Sequence, residues 1–100
     1  MAQRVADFVV RRRRFGPKVT LRVDLHGVST FGPGDQRTLI RWEWIDDIIV
    51  ADGVVVRSSK EHVEFPPGAF GIEPAQLAER LEKGRSIEHR TDVITGLNAG

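Results

Sequence analysis

Residues 18–27 read Lys-Val-Thr-Leu-Arg-Val-Asp-Leu-His-Gly, and hydrophobic and polar side chains alternate strictly from 18 to 25. Successive side chains of a β-strand point to opposite faces, so this alternation divides the segment between two faces. One face has Val19, Leu21, Val23 and Leu25, and the other has Thr20, Arg22 and Asp24. The pattern predicts a half-buried antiparallel strand, followed by a tight turn at residues 26–27.

The β pattern continues on both sides of this strand. Between residues 5 and 65, short runs of β-branched and aromatic residues are separated by Gly, Pro and Asp, which is typical of a mainly β chain. About seven strands are predicted, over 8–15, 18–25, 28–31, 36–44, 48–50, 54–58 and 62–65. Strand alternation would place Ile40, Trp42 and Trp44 together on a core-facing side, and an exposed tryptophan would mark an interface. Asp52-Gly53 predicts a hairpin with a type I′ turn.

A helical pattern follows the last strand. Glu73-Pro74 suits a helix start, Leu77, Ala78 and Leu81 share one face, and Gly84 suits the end. An isolated helix of this length is not stable in water, so we expect it to pack against the sheet or cap a barrel. The domain is predicted to span 1–84. Residues 85–100 are expected to be a tail or a short extra helix lined by Ile87, Ile94 and Leu97.

Composition limits the classes of protein to consider. A chain of 100 residues with 40% hydrophobic content suits one small domain. The absence of cysteine excludes a disulfide framework and thiolate metal ligands, and fits a reducing compartment. No apolar run approaches the length of a signal peptide or a membrane span. These features predict a soluble, cytoplasmic protein.

The charge is unevenly distributed although the formal net charge is only +1. Residues 1–22 contain seven Lys or Arg and a single acid, Asp7, so this segment carries +6 and the remainder −5. Its centre reads Val-Arg-Arg-Arg-Arg-Phe-Gly-Pro-Lys over 10–18. The residues expected to bind an anion or a partner are Arg11, Arg12, Arg13, Arg14, Lys18 and Arg22.

Two interpretations of this basic segment remain open. Strand alternation separates Arg11 and Arg13 from Arg12 and Arg14, so all four reach one partner only if the hairpin projects beyond the sheet. Alternatively, arginines on an edge strand prevent edge-to-edge aggregation and serve no partner.

No arrangement of residues points to catalysis. Asp46-Asp47 is typical of a solvated turn, and His26, His62 and His89 lack the spacing of metal ligands. The glycine-rich stretch 32–35 lacks the Lys-Ser/Thr of a phosphate loop. We therefore expect a protein that is not an enzyme and has no catalytic residues, metal or cofactor.

The order of these elements resembles that of pleckstrin-homology-like (PH-like) domains, specifically the small bacterial members. The resemblance covers residues 5–84 and rests on Asp-Leu-His-Gly-Val at 24–28, Ile-Arg-Trp-Glu-Trp-Ile-Asp-Asp-Ile at 40–48 and Val-Glu-Phe-Pro-Pro at 63–67. It implies a partly open barrel of two near-orthogonal sheets with a C-terminal amphipathic helix capping one end. It also implies a binding or scaffolding role.

Specific recognition of inositol phosphates is not expected. Eukaryotic PH domains that bind these lipids have a pattern of three basic positions around the first hairpin. Lys18 and Arg22 fit the first two, but the third falls on Asp24.

The predicted function is a non-enzymatic binding module, monomeric or a small homo-oligomer, that docks through its basic first hairpin. The expected partner is an unknown protein, or weakly an anionic membrane at its inner face. The alternative is a small β-barrel that binds nucleic-acid backbone through the same segment. Base recognition is disfavoured because Phe8, Phe15 and Phe31 are better suited to the core than to stacking on bases.

Overall fold

The computed structural model describes residues 4–11, 18–34 and 36–99. They form two antiparallel sheets followed by two helices, so the fold is mainly β with a helical C-terminal part. The first sheet has the order β1 (Val5–Arg11), β2 (Lys18–Asp24), β3 (Gly27–Phe31) and β4 (Arg37–Arg41). The second has β5 (Asp47–Val50), β6 (Val54–Arg57) and β7 (His62–Phe65), and the helices are α1 (Pro74–Gly84) and α2 (Arg90–Ala99). Neither sheet closes into a barrel within the residues described.

The alternation of the second strand is confirmed. Val19, Leu21 and Val23 are buried, and the polar residues between them lie on the outer face. Leu25 departs from the pattern, because it follows the strand and is exposed. The first strand begins earlier than expected, and the remainder of its predicted range, 12–15, lies outside the described residues.

The prediction of one strand over 36–44 is wrong at its end. Trp42–Trp44 forms a 3₁₀ turn between the two sheets, so Trp42 is buried while Trp44 is 57% exposed. Two hydrogen bonds hold the buried tryptophan to the preceding hairpin. Its backbone N–H donates to the carbonyl of His26, and its indole N–H donates to the carbonyl of Asp24 at 2.9 Å.

The hairpin at Asp52-Gly53 forms as predicted, but its type I′ turn does not. Gly53 lacks the positive φ that this turn requires, and the Ala51 N–H donates to the Gly53 carbonyl. A Cβ at Gly53 would overlap the carbonyl oxygen of Phe65 on β7. Glycine is therefore needed here for close approach between backbones and not for a left-handed conformation.

The first helix begins and ends where the sequence predicts. Pro74 is its first residue, and the Glu73 N–H donates to Oε1 of Gln76 at 3.4 Å as part of a capping box. Leu77 and Leu81 are fully buried, which shows that the apolar face packs on the core.

Residues 85–99 also contribute to this core. Val93, Ile94 and Leu97 of α2 are buried in the same hydrophobic cluster as the strands, whereas Ile87 is exposed. The helices join at Arg90, whose Nε donates to the Gly84 carbonyl at 2.8 Å. α1 packs against β5 and β6, and α2 packs against β1 and β2. The two helices therefore bridge the two sheets.

Candidate binding surface

The predicted binding residues lie at the end of the β1–β2 hairpin. Arg11 and Lys18 are directly opposite each other in the strand register. Lys18 is exposed and makes no salt bridge within the described part of the chain. The predicted residues Arg12, Arg13 and Arg14 lie outside the described residues.

Arg22 lies on the same outer face of the sheet but already has an anionic partner. Its Nε and Nη2 donate to the two carboxylate oxygens of Asp7, at 2.7 and 3.0 Å. This hydrogen bonding raises the pKa of Arg22, aided by the charges of Asp7 and Asp24. The carboxylate of Asp7 therefore offsets most of the charge that Arg22 could offer to an external anion.

Arg37 on β4 is a basic residue outside the set predicted from the sequence. It is opposite Phe31 in the register, and the guanidinium groups of Arg22 and Arg37 lie 4.7 and 5.0 Å from the centre of the Phe31 ring. Such cation–π contacts hold a guanidinium close to the sheet. Counting back by strand alternation from Ile40, which is buried, would have placed Arg37 on the outer face.

These residues define one surface, which we call the basic face: Lys18, Arg22 and Arg37, together with the backbone position of Arg11. Arg37 is exposed and, like Lys18, makes no salt bridge within the residues that the structure describes. An anion approaching the basic face would therefore meet the uncompensated charges of Lys18 and Arg37 first.

Two of the acids near this sheet, Asp24 and Glu43, make structural contacts, while Glu64 of β7 lines a cavity together with Arg37. Oδ1 of Asp24 accepts the backbone N–H groups of His26 and Gly27, at 2.8 and 3.1 Å. Glu43 lies 3.7 Å from Arg41 at the far end of β4. The positive potential of the basic face is thus concentrated at the hairpin end of the sheet.

Asp46 and Asp47, which the sequence places in a turn, do not form a pair. Asp47 accepts two hydrogen bonds from Arg57, at 2.8 and 2.9 Å, while Asp46 is exposed. The hydrogen bonds from Arg57 lower the pKa of Asp47. Within the described ranges, no group of three or more His, Asp or Glu residues could hold a metal ion.

A second exposed feature is at the opposite end of the first sheet. Trp44 is 57% exposed, and the Arg41 guanidinium lies over its ring at 5.6 Å. Because Arg41 ends β4 and Arg37 begins it, the strand separates this tryptophan from the basic face.

Comparison with known proteins adds no relative to this description. No family model matches the chain, and neither a curated protein nor a solved structure similar to it is found. None of the helices in the described ranges is long and apolar enough to cross a bilayer.

Proposed function

We propose that this chain is a non-enzymatic binding module of PH-like architecture that docks on an acidic surface of a protein partner through its basic face. The observation that supports this most is the position of Lys18 and Arg37, two exposed cations at the hairpin end of one sheet face. The order of a four-stranded sheet, a three-stranded sheet and a C-terminal helix is compatible with the partly open barrel of that architecture.

A protein partner suits this face better than a membrane does. The three placed cations of the basic face, Lys18, Arg22 and Arg37, at about 1 kcal/mol each would together yield a dissociation constant only in the millimolar range. Salt weakens such an interaction, so stable binding to a membrane would require a second contact between the protein and the bilayer. A protein partner can add hydrogen bonds and apolar contacts to the charge attraction.

Nucleic acid is the weaker alternative because the aromatic residue of this face is already engaged. Single-strand binding draws much of its affinity from bases stacked on exposed aromatic rings. Two guanidinium groups lie over Phe31, which leaves this ring less accessible to a base. Phosphate contacts alone would be strongly salt-dependent.

The test compares three probes: a fluorescein-labelled peptide Asp-Glu-Glu-Val-Thr-Ile-Lys, vesicles containing phosphatidylserine, and a 20-base-pair duplex. Each probe is titrated against the wild type and the double variant Lys18→Glu/Arg37→Glu. A control variant, Lys60→Glu/Lys83→Glu, changes net charge equally at exposed lysines outside the first sheet, one in the β6–β7 turn and one near the end of α1.

We expect the peptide to bind the wild type and to lose at least about tenfold in affinity for the basic-face variant, since two ionic contacts are reversed. The control variant should retain most of the affinity. Equal losses in both variants would mean that only net charge matters and would refute the proposal. If the wild type binds the vesicles or the duplex more tightly than the peptide, and the same substitutions weaken that binding, the basic face recognises that membrane or nucleic acid and not a protein.

A further inference from the structure

The outer edge of β1 carries backbone groups that do not take part in the first sheet. In an antiparallel ladder, residues alternate between pointing their N–H and C=O groups to one neighbouring strand and to the other. The Gly32 N–H donates to the Gln36 carbonyl at 2.8 Å, just beyond the β3–β4 pairs. Even-numbered residues of β3 therefore face β4, and its odd-numbered residues face β2.

The same alternation can be followed across the sheet to its edge. Phe31 pairs with Thr20, so the even-numbered residues of β2 face β3 and its odd-numbered residues face β1. Leu21 pairs with Phe8, so the even-numbered residues of β1 face β2. The odd-numbered residues of β1 must then direct their backbone groups outward. A contact from α2 confirms this direction, because Nδ2 of Asn98 donates to the Val5 carbonyl at 2.8 Å.

This asparagine covers only the beginning of the edge. Beyond it, from Asp7 to Arg11, no hydrogen bond within the described residues reaches the outward groups of Asp7 or Val9. Val9 is also 56% exposed. An uncovered edge of this kind is a template for another strand.

An apolar groove lies beside the uncovered edge. It has a volume of about 610 Å³ and opens between β1 and the β5–β6 turn, within the range of roughly 300–1,000 Å³ of ligand pockets. Its lining includes the apolar residues Val10, Val19, Leu21, Val54, Phe65 and Pro66, and also the acids Asp52 and Glu64. The groove therefore suits apolar side chains of a partner and disfavours acidic ones. A strand added to β1 would turn every second side chain to the side of Phe8 and Val10, where this groove lies.

The charge of this part of the chain determines which kind of segment can pair with the β1 edge. The first 22 residues carry a net charge of +6, so a second copy of this chain would bring two such segments together and be repelled. A segment with acidic residues would be attracted to the same edge. The end of the edge at Arg11 is the position where an acidic residue is favoured most, because Lys18 is its neighbour in the register.

We infer that the partner supplies an extended acidic segment, which adds to the β1 edge from Asp7 to Arg11 as an antiparallel strand. Its alternate apolar side chains enter the groove, and its acidic residues lie towards Arg11. Such main-chain pairing provides affinity, while the groove provides specificity. The five edge residues span about 17 Å. This inference rests on the proposed function, since it specifies how the acidic partner binds.

The test uses a proline at the edge. Val9→Pro removes an outward N–H that the β1–β2 ladder does not use, and prolines are tolerated on edge strands for this reason. Val9→Thr keeps the N–H and is the matched control. The probe is the labelled peptide Asp-Glu-Glu-Val-Thr-Ile-Lys, compared with the same peptide N-methylated at threonine, which keeps every charge and side chain.

We expect Val9→Pro and N-methylation of the peptide each to weaken binding by about tenfold or more, because each removes a backbone hydrogen bond between the two strands. The affinity of Val9→Thr for the peptide should stay within about twofold of the wild type. In the wild type, the peptide should slow hydrogen exchange at the Val9 amide. Circular dichroism and melting establish that Val9→Pro is folded. If it is not, the two peptides on the wild type decide.

The remaining outcomes separate this inference from the proposed function. If the peptide binds Val9→Pro as tightly as the wild type, and N-methylation leaves its affinity unchanged, strand addition is refuted. If binding is nevertheless abolished in Lys18→Glu/Arg37→Glu, the basic face is supported. If the wild type does not bind the peptide at low salt, both are refuted. If the wild type self-associates and Val9→Pro abolishes this, the edge belongs to a second copy and the acidic partner is refuted.

Discussion

The contact between Gly84 and Trp42 leads to a prediction whose sign depends on one side chain. A Cβ added at Gly84 would stand 2.6 Å from Cη2 and 2.9 Å from Cζ3 of the Trp42 indole. The indole cannot easily move away. It is 2% exposed, its N–H donates to the Asp24 carbonyl, and the Arg90 guanidinium lies over its ring. Gly84→Ala should therefore displace the end of α1 or the indole.

The magnitude follows from two opposing effects. Replacing glycine by alanine in a helix gains up to about 1 kcal/mol from helix propensity, and less at the last helical residue. Overpacking a core costs about 1–3 kcal/mol. The net expectation for Gly84→Ala is a loss of about 1–2 kcal/mol in the free energy of unfolding. A domain of this size loses about 4–8 °C in melting temperature for each kcal/mol.

Urea unfolding followed by circular dichroism measures this change, with two variants as controls. A Cβ at Gly96 of α2 would meet only the guanidinium end of Arg80, at 3.0 Å, and this flexible end can move. Gly96→Ala should therefore stabilise by up to about 1 kcal/mol. In a Trp42→Phe background, which lacks the indole carbons nearest Gly84, the Gly84→Ala change should become neutral or stabilising.

If Gly84→Ala stabilises the wild type as much as Gly96→Ala does, the indole does not restrict the helix end. If Gly84→Ala costs the same in the wild type and in Trp42→Phe, the loss has another cause.

Two predictions concern the charged pairs. Asp7→Asn should return the pKa of Arg22 towards its ordinary value and release its charge to the basic face, so the labelled acidic peptide should bind severalfold more tightly at low salt; unchanged binding would show that Arg22 does not contribute. Asp47 should titrate below the ordinary aspartate value because Arg57 bonds to its charged form. This contribution is present at neutral pH and is lost as pH falls through the lowered pKa of Asp47. Arg57→Gln should raise that pKa in an NMR titration, and an unchanged pKa would contradict the assignment.

Local patterns in the sequence determined most of the secondary structure. The alternation of Val19, Leu21 and Val23 is the direct signature of a half-buried strand, and it holds in the structure. Pro74 and Gly84 bound the first helix as the sequence indicates. Proline acts there through its own backbone dihedral, whereas Gly84 has no positive φ and lies against the Trp42 indole. The hairpin at Asp52-Gly53 forms where a turn signal separates two runs of β-branched residues, although the left-handed dihedral expected there does not occur.

Tertiary packing decided the features that local patterns could not. Strand alternation predicts burial of both Trp42 and Trp44, but the turn between the sheets buries only Trp42. The sequence predicts a left-handed turn residue at Gly53, but glycine is needed there because β7 approaches its backbone closely.

The basic face also depends on contacts between residues distant in the chain. Asp7 and Arg22 are 15 positions apart, and Arg37 reaches Phe31 only through the β3–β4 register. The Asn98 contact with β1 spans 93 positions. The sequence by itself determined where strands, turns and the first helix form, because these depend on neighbouring residues. The structure alone determined which charges are compensated and which edge is uncovered, because these depend on how the sheets and helices pack together.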